Sequence, residues 1–338
     1  MRKVLMSLAG VCLTLAGWAA SHGPASAQAP AAAPAFPTKN VRLLIPYGAG
    51  SATDITARIL ADALRTKWGH GVVIENKPGA FGILAIEEMA RARPDGHTLM
   101  FGNVSTNAIT PVVYKSKMKI DYDKDVVTVT KVYDLFSFFM VTPVGDFPPK
   151  SMKEFVAYAK ANSGKLRYTV PGVASYPHYD QESLQIKEGF TAQHVSAKSG
   201  GAGMLQDILS GDVHYGFVNA ATAIGMLKAG QVRALAYKGP TRHPQVPDVP
   251  TMTEAGYPDF GSSNWASVLA PAATPKETLE YVRASFAEAA AAPQVKEAFL
   301  KQQVHTDISP SMEAAKAFHD GEVARWKAVI AKSKIKVE

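Results

Sequence analysis

Residues 41–54 read VRLLIPYGAGSATD and run directly into ITARILADAL at residues 55–64. An apolar run of strand length is followed by a turn of small residues and then by an amphipathic segment with Ile55, Ile59 and Leu64 on one face. This order predicts a strand, a glycine-rich loop and the N-terminus of a helix. The first N–H groups of a helix lack partners within the helix and lie at the positive end of its dipole. We therefore expect an anion to bind above this loop.

The stretches that follow continue the alternation of strand and helix. Apolar runs predict strands over residues 41–46, 71–75 and 97–102, and helical periodicity predicts helices over residues 54–68 and 83–92. This β-α-β-α-β order is typical of a doubly wound parallel sheet.

A second alternation follows a polar stretch at residues 115–125, which we interpret as a surface connection, and an apolar strand at residues 136–141. Strands are predicted over residues 166–170, 192–195, 213–218 and 232–237, and helices over 151–162, 176–187, 203–210 and 223–229. Ser151 is the predicted N-cap of the first of these helices, with Glu154 completing a capping box. A further strand (266–270) and three helices (275–291, 293–303 and 311–334) complete the chain. The pattern predicts two α/β lobes.

The first 29 residues have the form of a secretory signal peptide. Arg2 and Lys3 precede an apolar run over residues 4–20, and a stretch of small residues with A-x-A-like cleavage sites ends at Ala29. The alternative is an N-terminal membrane anchor, for which the apolar run is short. Residues 30–37, rich in Ala and Pro, are interpreted as a flexible leader. We therefore expect a periplasmic protein.

Composition narrows the functional classes. The chain has 338 residues, of which 47% are hydrophobic and 19% charged, as is typical of a folded protein. Cys12 is the single cysteine, so a mature chain without residues 1–29 has no disulfide, no metal–thiolate site and no cysteine nucleophile. Loss of Arg2 and Lys3, with no acid, lowers the formal net charge from +7 to +5. That charge is scattered, without the basic aromatic patch of a nucleic-acid-binding protein.

Enzymatic alternatives find weak support in the sequence. Gly48-x-Gly50 with Glu75 resembles half of a dinucleotide-binding fingerprint, but Thr53 occupies the third glycine position. There is no Gly-x-Ser-x-Gly elbow, and the histidines, such as His178 and His194, are not spaced with acids as ligands or catalytic bases. Two lobes with polar loops at the ends of strands favour a solute-binding protein that closes on an anionic ligand.

Several blocks of sequence resemble the tripartite tricarboxylate transporter receptors, the TctC or Bug family of extracytoplasmic solute-binding proteins. The blocks, in chain order, are PYGAGSATD (46–54), ENKPGA (75–80), RPDGHTL (93–99), GNVSTNAI (102–109), KSGG (198–201), LSGDV (209–213), PDVPTMTEAGY (247–257) and LAPAATP (269–275). They span essentially the whole mature chain.

The resemblance implies an α/β fold of two domains, a type II-like Venus flytrap in which each domain is a mixed sheet flanked by helices and the ligand lies in the interdomain cleft. We predict domain 1 at residues 38–141 with 264–338, and domain 2 at residues 142–263. The implied function is capture of an organic carboxylate (a di- or tricarboxylate or an aromatic carboxylate) and its delivery to the large and small membrane subunits of a permease. No enzymatic activity, cofactor, metal or nucleic-acid partner is implied, and we expect a monomer. A sensor-type binding protein without a permease stays open as an alternative.

The resemblance also implies which loops hold the carboxylate, through backbone groups and ordered waters. The first loop supplies the candidates Tyr47, Gly48, Ala49, Gly50, Ser51, Ala52, Thr53 and Asp54, and the second supplies Ala197, Lys198, Ser199, Gly200 and Gly201. Further candidates at strand ends and helix starts are Ser105, Thr106, Asn107, Ser175, Tyr176, His178, Asn219 and Ala220.

For some of these candidates two roles stay open. Ser51 and Thr53 could donate hydroxyl groups to the ligand or serve only as helix caps. Asp54 is expected to orient the loop or to meet a donor on the ligand. The family pattern has a glycine where this chain has Ser51, and a tyrosine where it has Ala197. We therefore expect a cleft that admits a larger acid or one of different shape, including an aromatic acid.

Overall fold

The computed structural model describes residues 36–198, 200–258, 260 and 263–337. The predicted signal peptide, Cys12, most of the predicted leader and Ser199 lie outside these described residues.

The chain forms two sheets with helices between their strands. The strands are β1 (Val41–Ile45), β2 (Val72–Asn76), β3 (Thr98–Asn103), β4 (Val126–Asp134), β5 (Ser137–Val141), β6 (Leu166–Val170), β7 (Ala192–Ser196), β8 (Tyr215–Asn219), β9 (Arg233–Tyr237), β10 (Ala266–Pro271) and β11 (His305–Thr306). The helices are α1 (Ala52–Trp68), α2 (Ile83–Ala90), α3 (Thr110–Val113), α4 (Tyr122–Asp125), α5 (Met152–Ala161), α6 (Tyr176–Glu188), α7 (Gly200–Ser210), α8 (Ala220–Lys228), α9 (Lys276–Ala291), α10 (Pro293–Lys301) and α11 (Met312–Lys332).

Both sheets are mixed. The first has the order β11-β4-β10-β3-β1-β2, with β1 parallel to β2 and β3, and β10 antiparallel to β3 and β4. The second has the order β7-β6-β8-β5-β9, in which β6 is parallel to β7 and β8 whereas β5 is antiparallel to its neighbours. We call the first sheet with its flanking helices the first lobe, and the second sheet with its helices the second lobe.

Helices cover both faces of the first sheet because β1 is apolar on both sides. Leu43 packs with Leu60 of α1 and Phe286 of α9, whereas Leu44 belongs to a separate cluster with Ile86 of α2. Successive side chains of a strand point to opposite faces, and a strand buried on both faces reads as a continuous apolar run. The predicted α/β layering is thereby confirmed for the opening stretch.

A third cluster joins the two lobes. It contains Val104, which directly follows β3, Tyr176 and Tyr179 of α6, Trp265, which directly precedes β10, and Trp326 of α11. The C-terminal helix of the chain therefore packs against residues from both lobes.

The sequence pattern predicts no strand between residues 103 and 135, yet β4 lies inside the first sheet between β10 and β11. The polar residues within β4 interrupt the apolar pattern by which a buried strand is recognised in a sequence. Lys131 is buried because its ammonium group donates to Asp134 at 2.7 Å and to Asp307 at 2.6 Å. Such pairing allows a charged side chain to lie inside a sheet.

Strand β5 pairs with β8 and β9 in the second sheet, whereas the predicted domain 1 extends to residue 141. The predicted domain limits stay a prediction, and this pairing favours a first crossing near residue 136. Within the part of the chain that the structure describes, no helix has both the length and the apolar character needed to cross a membrane.

Candidate functional site

A cleft of about 850 Å³ is lined by residues from both lobes. The first lobe contributes Pro46, Tyr47, Gly48, Ala49, Gly50, Ser51, Ala52, Thr53, Pro78, Gly79, Phe81, Gly82, Asn103, Ser105, Thr106, Thr110 and Tyr114, with Asn264 from the returning chain. The second lobe contributes Pro171, Gly172, Val173, Ala174, Ser175, Tyr176, Pro177, Lys198, Gly200, Gly201, Ala202, Met204, Phe217, Asn219 and Thr222. Most of the predicted site residues therefore meet in one place.

The predicted first loop joins β1 to α1 and lines the cleft from Tyr47 to Thr53. Ser51 is the N-cap of α1, and its hydroxyl accepts a hydrogen bond from the Asp54 N–H at 3.2 Å. With φ of −66°, Ser51 needs no glycine, so a side chain fits where the family has glycine. Gly50 has φ of +81°, a conformation that favours glycine.

Asp54 does not line the cleft, because its side chain is only 3% exposed and is turned into the loop. Its carboxylate accepts hydrogen bonds from the Gly50 N–H at 2.9 Å, from Asn76 at 2.9 Å and from Arg58 at 2.9 and 3.1 Å. Burial alone would raise the pKa of Asp54, but these hydrogen bonds, led by Arg58, hold it below its usual value. Of the two predicted roles, this placement supports orientation of the loop.

Asn103, at the end of β3, ties the first loop to the third strand. Its side-chain oxygen accepts from the Tyr47 hydroxyl and from the Ser105 N–H at 3.0 Å, and its amide group donates to Thr53 at 3.3 Å. Asn103 was not among the predicted site residues. Its position at the carboxyl end of a buried strand was the signal that could have identified it.

Of the three predicted residues that follow β3, two line the cleft and one does not. Ser105 and Thr106 line the cleft, and the Ser105 hydroxyl accepts a hydrogen bond from the Tyr176 N–H of the second lobe at 3.3 Å. Asn107 is fully buried and donates to the Ser267 hydroxyl at 2.8 Å. It lies outside the cleft lining, since its side chain points into the first lobe towards β10.

In the second lobe, Ser175, Tyr176 and Asn219 line the cleft. Ser175 is the N-cap residue of α6, but its hydroxyl makes no capping hydrogen bond and donates instead to the Gly172 carbonyl at 2.7 Å. The Tyr176 hydroxyl donates to the Asn219 side chain at 2.9 Å, and burial raises the pKa of this phenol. These bonds fix the second-lobe wall of the cleft.

Three other predicted residues lie behind that wall, outside the cleft lining. His178 is buried, accepts from the Ala174 N–H at 3.2 Å, and has its pKa lowered to about 3 by burial and by His194. Ala197 packs in the core beneath α7 and α8. The N–H of Ala220, which is also buried, donates to the Phe136 carbonyl at 2.9 Å. Ala197 therefore does not contact the space that a ligand in the cleft would occupy.

The predicted second loop reaches the cleft through Lys198, Gly200 and Gly201, while Ser199 lies outside the described residues. Helix α7 begins at Gly200. A Cβ atom at Gly201 would lie 3.0 Å from the Thr222 hydroxyl oxygen. Glycine therefore allows the start of α7 to lie close to α8.

Helix N-termini favour a negative charge in the cleft. Three helices of at least two turns begin at a lining residue, namely α1, α6 and α7, and the N-cap residues of α2 and α8, Gly82 and Asn219, also line the cleft. The first N–H groups of α6 and α8 are already donated, to the Ser105 hydroxyl and to the Phe136 carbonyl, so these two helices act through their dipoles. Among the described lining residues Lys198 carries the single formal charge. Within the described part of the chain, no group of three or more His, Cys, Asp and Glu residues is placed to hold a metal ion.

The site also contains residues that the sequence did not predict. Phe81 stacks on Tyr114 with the ring centroids 4.5 Å apart and the planes at 15°. Phe217, Thr222, Asn264 and residues 171–174 are further lining residues outside the prediction. They come from separate parts of the chain that only the fold brings together.

Comparison with known proteins places this site in a family. A sequence model described as "Tripartite tricarboxylate transporter family receptor" matches residues 56–335. "Protein BugT" of Bordetella pertussis is 27% identical over 334 residues, with 99% of this chain and 98% of BugT covered. The "UPF0065 protein in gbd 5'region" of Cupriavidus necator is 33% identical over 334 residues, with 98% and 97% covered.

Solved structures agree with the sequence matches. MatC (Rpa3494) from Rhodopseudomonas palustris with bound malate superposes with a TM-score of 0.76 at 28% identity, covering 87% of this chain and 100% of MatC. R. palustris Rpa4515 with adipate gives 0.77 at 28% identity, covering 88% and 97%. The family model and the two superposed structures each cover most of this chain. The chain therefore belongs to the tripartite tricarboxylate transporter receptors, the TctC/Bug family of periplasmic solute-binding proteins.

Proposed function

We propose that this protein binds an organic carboxylate in the cleft and delivers it to the large and small membrane subunits of a tripartite tricarboxylate-type permease. It does so as a monomer in the periplasm, after cleavage of residues 1–29. The observation that carries the proposal is the convergence of the N-termini of α1 and α7, one from each lobe, and of Lys198 on a cleft whose described lining residues include no acid. The malate and adipate in the structures of two relatives support a carboxylate as the ligand.

The ligand carboxylate is held between the two loops. In α1, the Ser51 hydroxyl accepts from the Asp54 N–H, whereas Ala52 and Thr53, whose N–H groups have no acceptor within the helix, line the cleft and are the proposed donors to the ligand. Lys198 and the start of α7 approach from the second lobe. Each hydrogen bond to a charged group contributes about 1.5–3 kcal/mol. Binding to both lobes favours the arrangement in which they close on the ligand.

The proposal is tested by substituting Gly50 and measuring ligand binding. Gly50→Val forces a β-branched residue into φ of +81° and disturbs the loop. The matched control is Gly189→Val, because Gly189 has φ of +73° at the end of α6, outside the cleft lining. Binding is measured by calorimetry with every acid of a panel of mono-, di-, tri- and aromatic carboxylates that raises the melting temperature.

We expect the Gly189 variant to bind normally and the Gly50 variant to lose binding, with both circular dichroism spectra unchanged. Retained binding by the Gly50 variant would contradict the role of the first loop. Mass spectrometry of the acid after prolonged incubation should return it unchanged, and a converted product would contradict a receptor without catalysis.

A further inference from the structure

Phe81 is an exposed aromatic residue at the cleft. It lines the cavity, and 51% of its surface is accessible to solvent. One face of its ring rests on Tyr114, which is almost fully buried. A large apolar side chain that is half exposed beside a ligand-sized cavity is an unusual feature, and it commonly marks a contact surface.

The backbone holds Phe81 in this position against its own preference. Ala80 and Phe81 have φ of 44° and 56°, in the left-handed region that side chains other than glycine rarely adopt. The Thr110 hydroxyl donates to the Phe81 carbonyl at 2.8 Å. The glycines on either side, Gly79 and Gly82, also have positive φ. Strained residues that the surroundings fix in place occur preferentially at ligand contacts.

The charges of the cleft suit a ligand with one carboxylate. Among the described lining residues, Lys198 is the one that carries a formal charge. Lys238 lies behind the wall, with its ammonium group 4.4 Å from the centre of the Phe217 ring, but it is buried and ion-paired with Asp180. A second carboxylate packed against the Phe81 and Tyr114 rings would have no further cation among the described lining residues to pair with. Desolvation of an unpaired charge is unfavourable.

We infer that the ligand is a monocarboxylate with an aromatic ring, and that the ring packs against the aromatic shelf formed by Phe81 and Tyr114. The inference rests on the proposed function and specifies the substrate class of the same site. In this arrangement the carboxylate lies between the first loop and Lys198, and the ring lies against Phe81 and Tyr114 in the same cleft. Stacked or edge-on contact between rings is attractive beyond simple area burial.

The test compares five acids on four proteins by calorimetry. The acids are phenylacetate, 3-phenylpropionate, butyrate, adipate and citrate. The proteins are the natural chain, Phe81→Ala, Phe81→Leu and Leu84→Ala. Leu84 is the matched control because it lies three residues further on and is 55% exposed, but does not line the cleft.

We expect an aromatic acid to bind at least about tenfold more tightly than adipate or citrate, and Phe81→Ala to weaken its binding by about tenfold. Butyrate affinity should change less than twofold, and Leu84→Ala should bind all five acids as the natural chain does. Phe81→Leu, which keeps apolar bulk, should also weaken binding of the aromatic acids and serves if the alanine variant fails to fold.

Two results would overturn the inference while leaving the proposed function intact: tighter binding of adipate or citrate than of both aromatic acids, or equal behaviour of the Phe81 and Leu84 variants. If no carboxylate in this panel or in the broader one binds, the proposed function fails as well.

Discussion

Asp54 determines the shape of the loop that follows β1. It accepts hydrogen bonds from the Gly50 N–H in the loop, from Arg58 one turn along α1 and from Asn76 at the end of β2. One carboxylate thus links the loop, the helix and the neighbouring strand. In the proposed mode of ligand binding, Asp54 holds the loop in place and does not contact the ligand.

We expect Asp54→Asn to lower the free energy of unfolding by about 1–3 kcal/mol at pH 7, because hydrogen bonds to the charged group are lost. Since the folded pKa of Asp54 lies below the unfolded value of about 3.9, its contribution is complete above that pH and is lost as the pH falls through the folded pKa. Urea unfolding at pH 7, 5, 4 and 3 measures both effects.

The difference between the natural chain and the variant should therefore narrow below pH 4. Asp62→Asn, on the exposed side of the same helix, is the control and should change the free energy of unfolding by less than about 0.5 kcal/mol. A difference that stays constant down to pH 3 would show that the Asp54 charge contributes nothing.

At the scale of single residues, the sequence predicts backbone-level features better than side-chain partners. The need for glycine at position 50 follows from its place in a tight turn, and the structure gives it a positive φ. The burial of Asn107 could not be predicted, because its partner Ser267 lies 160 residues further along the chain. Asn103 could have been identified from its position at the end of a buried strand, but its partners Tyr47 and Thr53 lie on another segment.

At the scale of helices and strands, the turn at Gly82 fixes the positions of α2 and of the Phe81 loop (residues 79–82) within the first lobe. Gly82 has φ of +89°, and a Cβ atom there would lie 2.6 Å from the Thr106 methyl carbon. Thr106 itself lines the cleft. Close approach and backbone conformation therefore both require glycine at this position.

Gly82→Ala should destabilise the protein by about 1–3 kcal/mol, since strain and overpacking act together. Gly225→Ala is the control, because Gly225 lies inside α8 and a Cβ atom there would meet no neighbouring atom within 4 Å. It should stabilise the protein by up to about 1 kcal/mol. Urea unfolding measures the change in the free energy of unfolding for each variant, and the two changes should have opposite signs. Destabilisation by both variants would contradict the packing argument.

The helices and strands were largely predictable where the pattern of apolar residues within the element is sufficient to identify it. Strand β6 has the predicted bounds, and Ser151 caps α5 with its hydroxyl on the Glu154 N–H. The Glu154 carboxylate returns to the Lys150 N–H and not to Ser151, so the capping box is shifted by one residue. Strand β4 was missed because its buried lysine is compensated by Asp134 and by Asp307, far along the chain.

For the molecule as a whole, we expect two buried histidines to lower its stability in mild acid. Burial lowers the pKa of His178 in α6 to about 3 and that of His319 in α11 to about 4. The unfolded chain takes up these protons below its ordinary pKa of about 6.5, whereas the folded protein does not. The stability is therefore complete above pH 6.5 and falls as the pH decreases towards the folded values.

We expect the free energy of unfolding to decrease between pH 6.5 and 5 by up to about 1.4 kcal/mol per pH unit for each histidine. The double variant His178→Gln, His319→Gln should show a shallower decrease over the same interval. Urea unfolding at half-unit steps, with pH 8 as the reference, measures the slope. The same slope in both proteins would mean that these histidines are not kept neutral by the fold.

The two-lobed organisation was predictable from the alternation of strands and helices, and the family from its sequence blocks. The place where the chain first crosses between lobes was not, because the pairing of β5 with β8 and β9 joins residues far apart in sequence. Nor could the sequence show that the Phe81 loop, Asn264 and residues 171–174 surround one cavity.

All the strands of the second sheet come from one uninterrupted stretch, β5 to β9. The chain enters this lobe once, leaves it once, and then completes the first sheet with β10 and β11. The second lobe is thus an insert within the sequence of the first lobe. A chimaera that exchanges this insert between two relatives would take the half that contributes Phe81 and the half that contributes Lys198 from different parents, and would measure the share of each half in ligand choice.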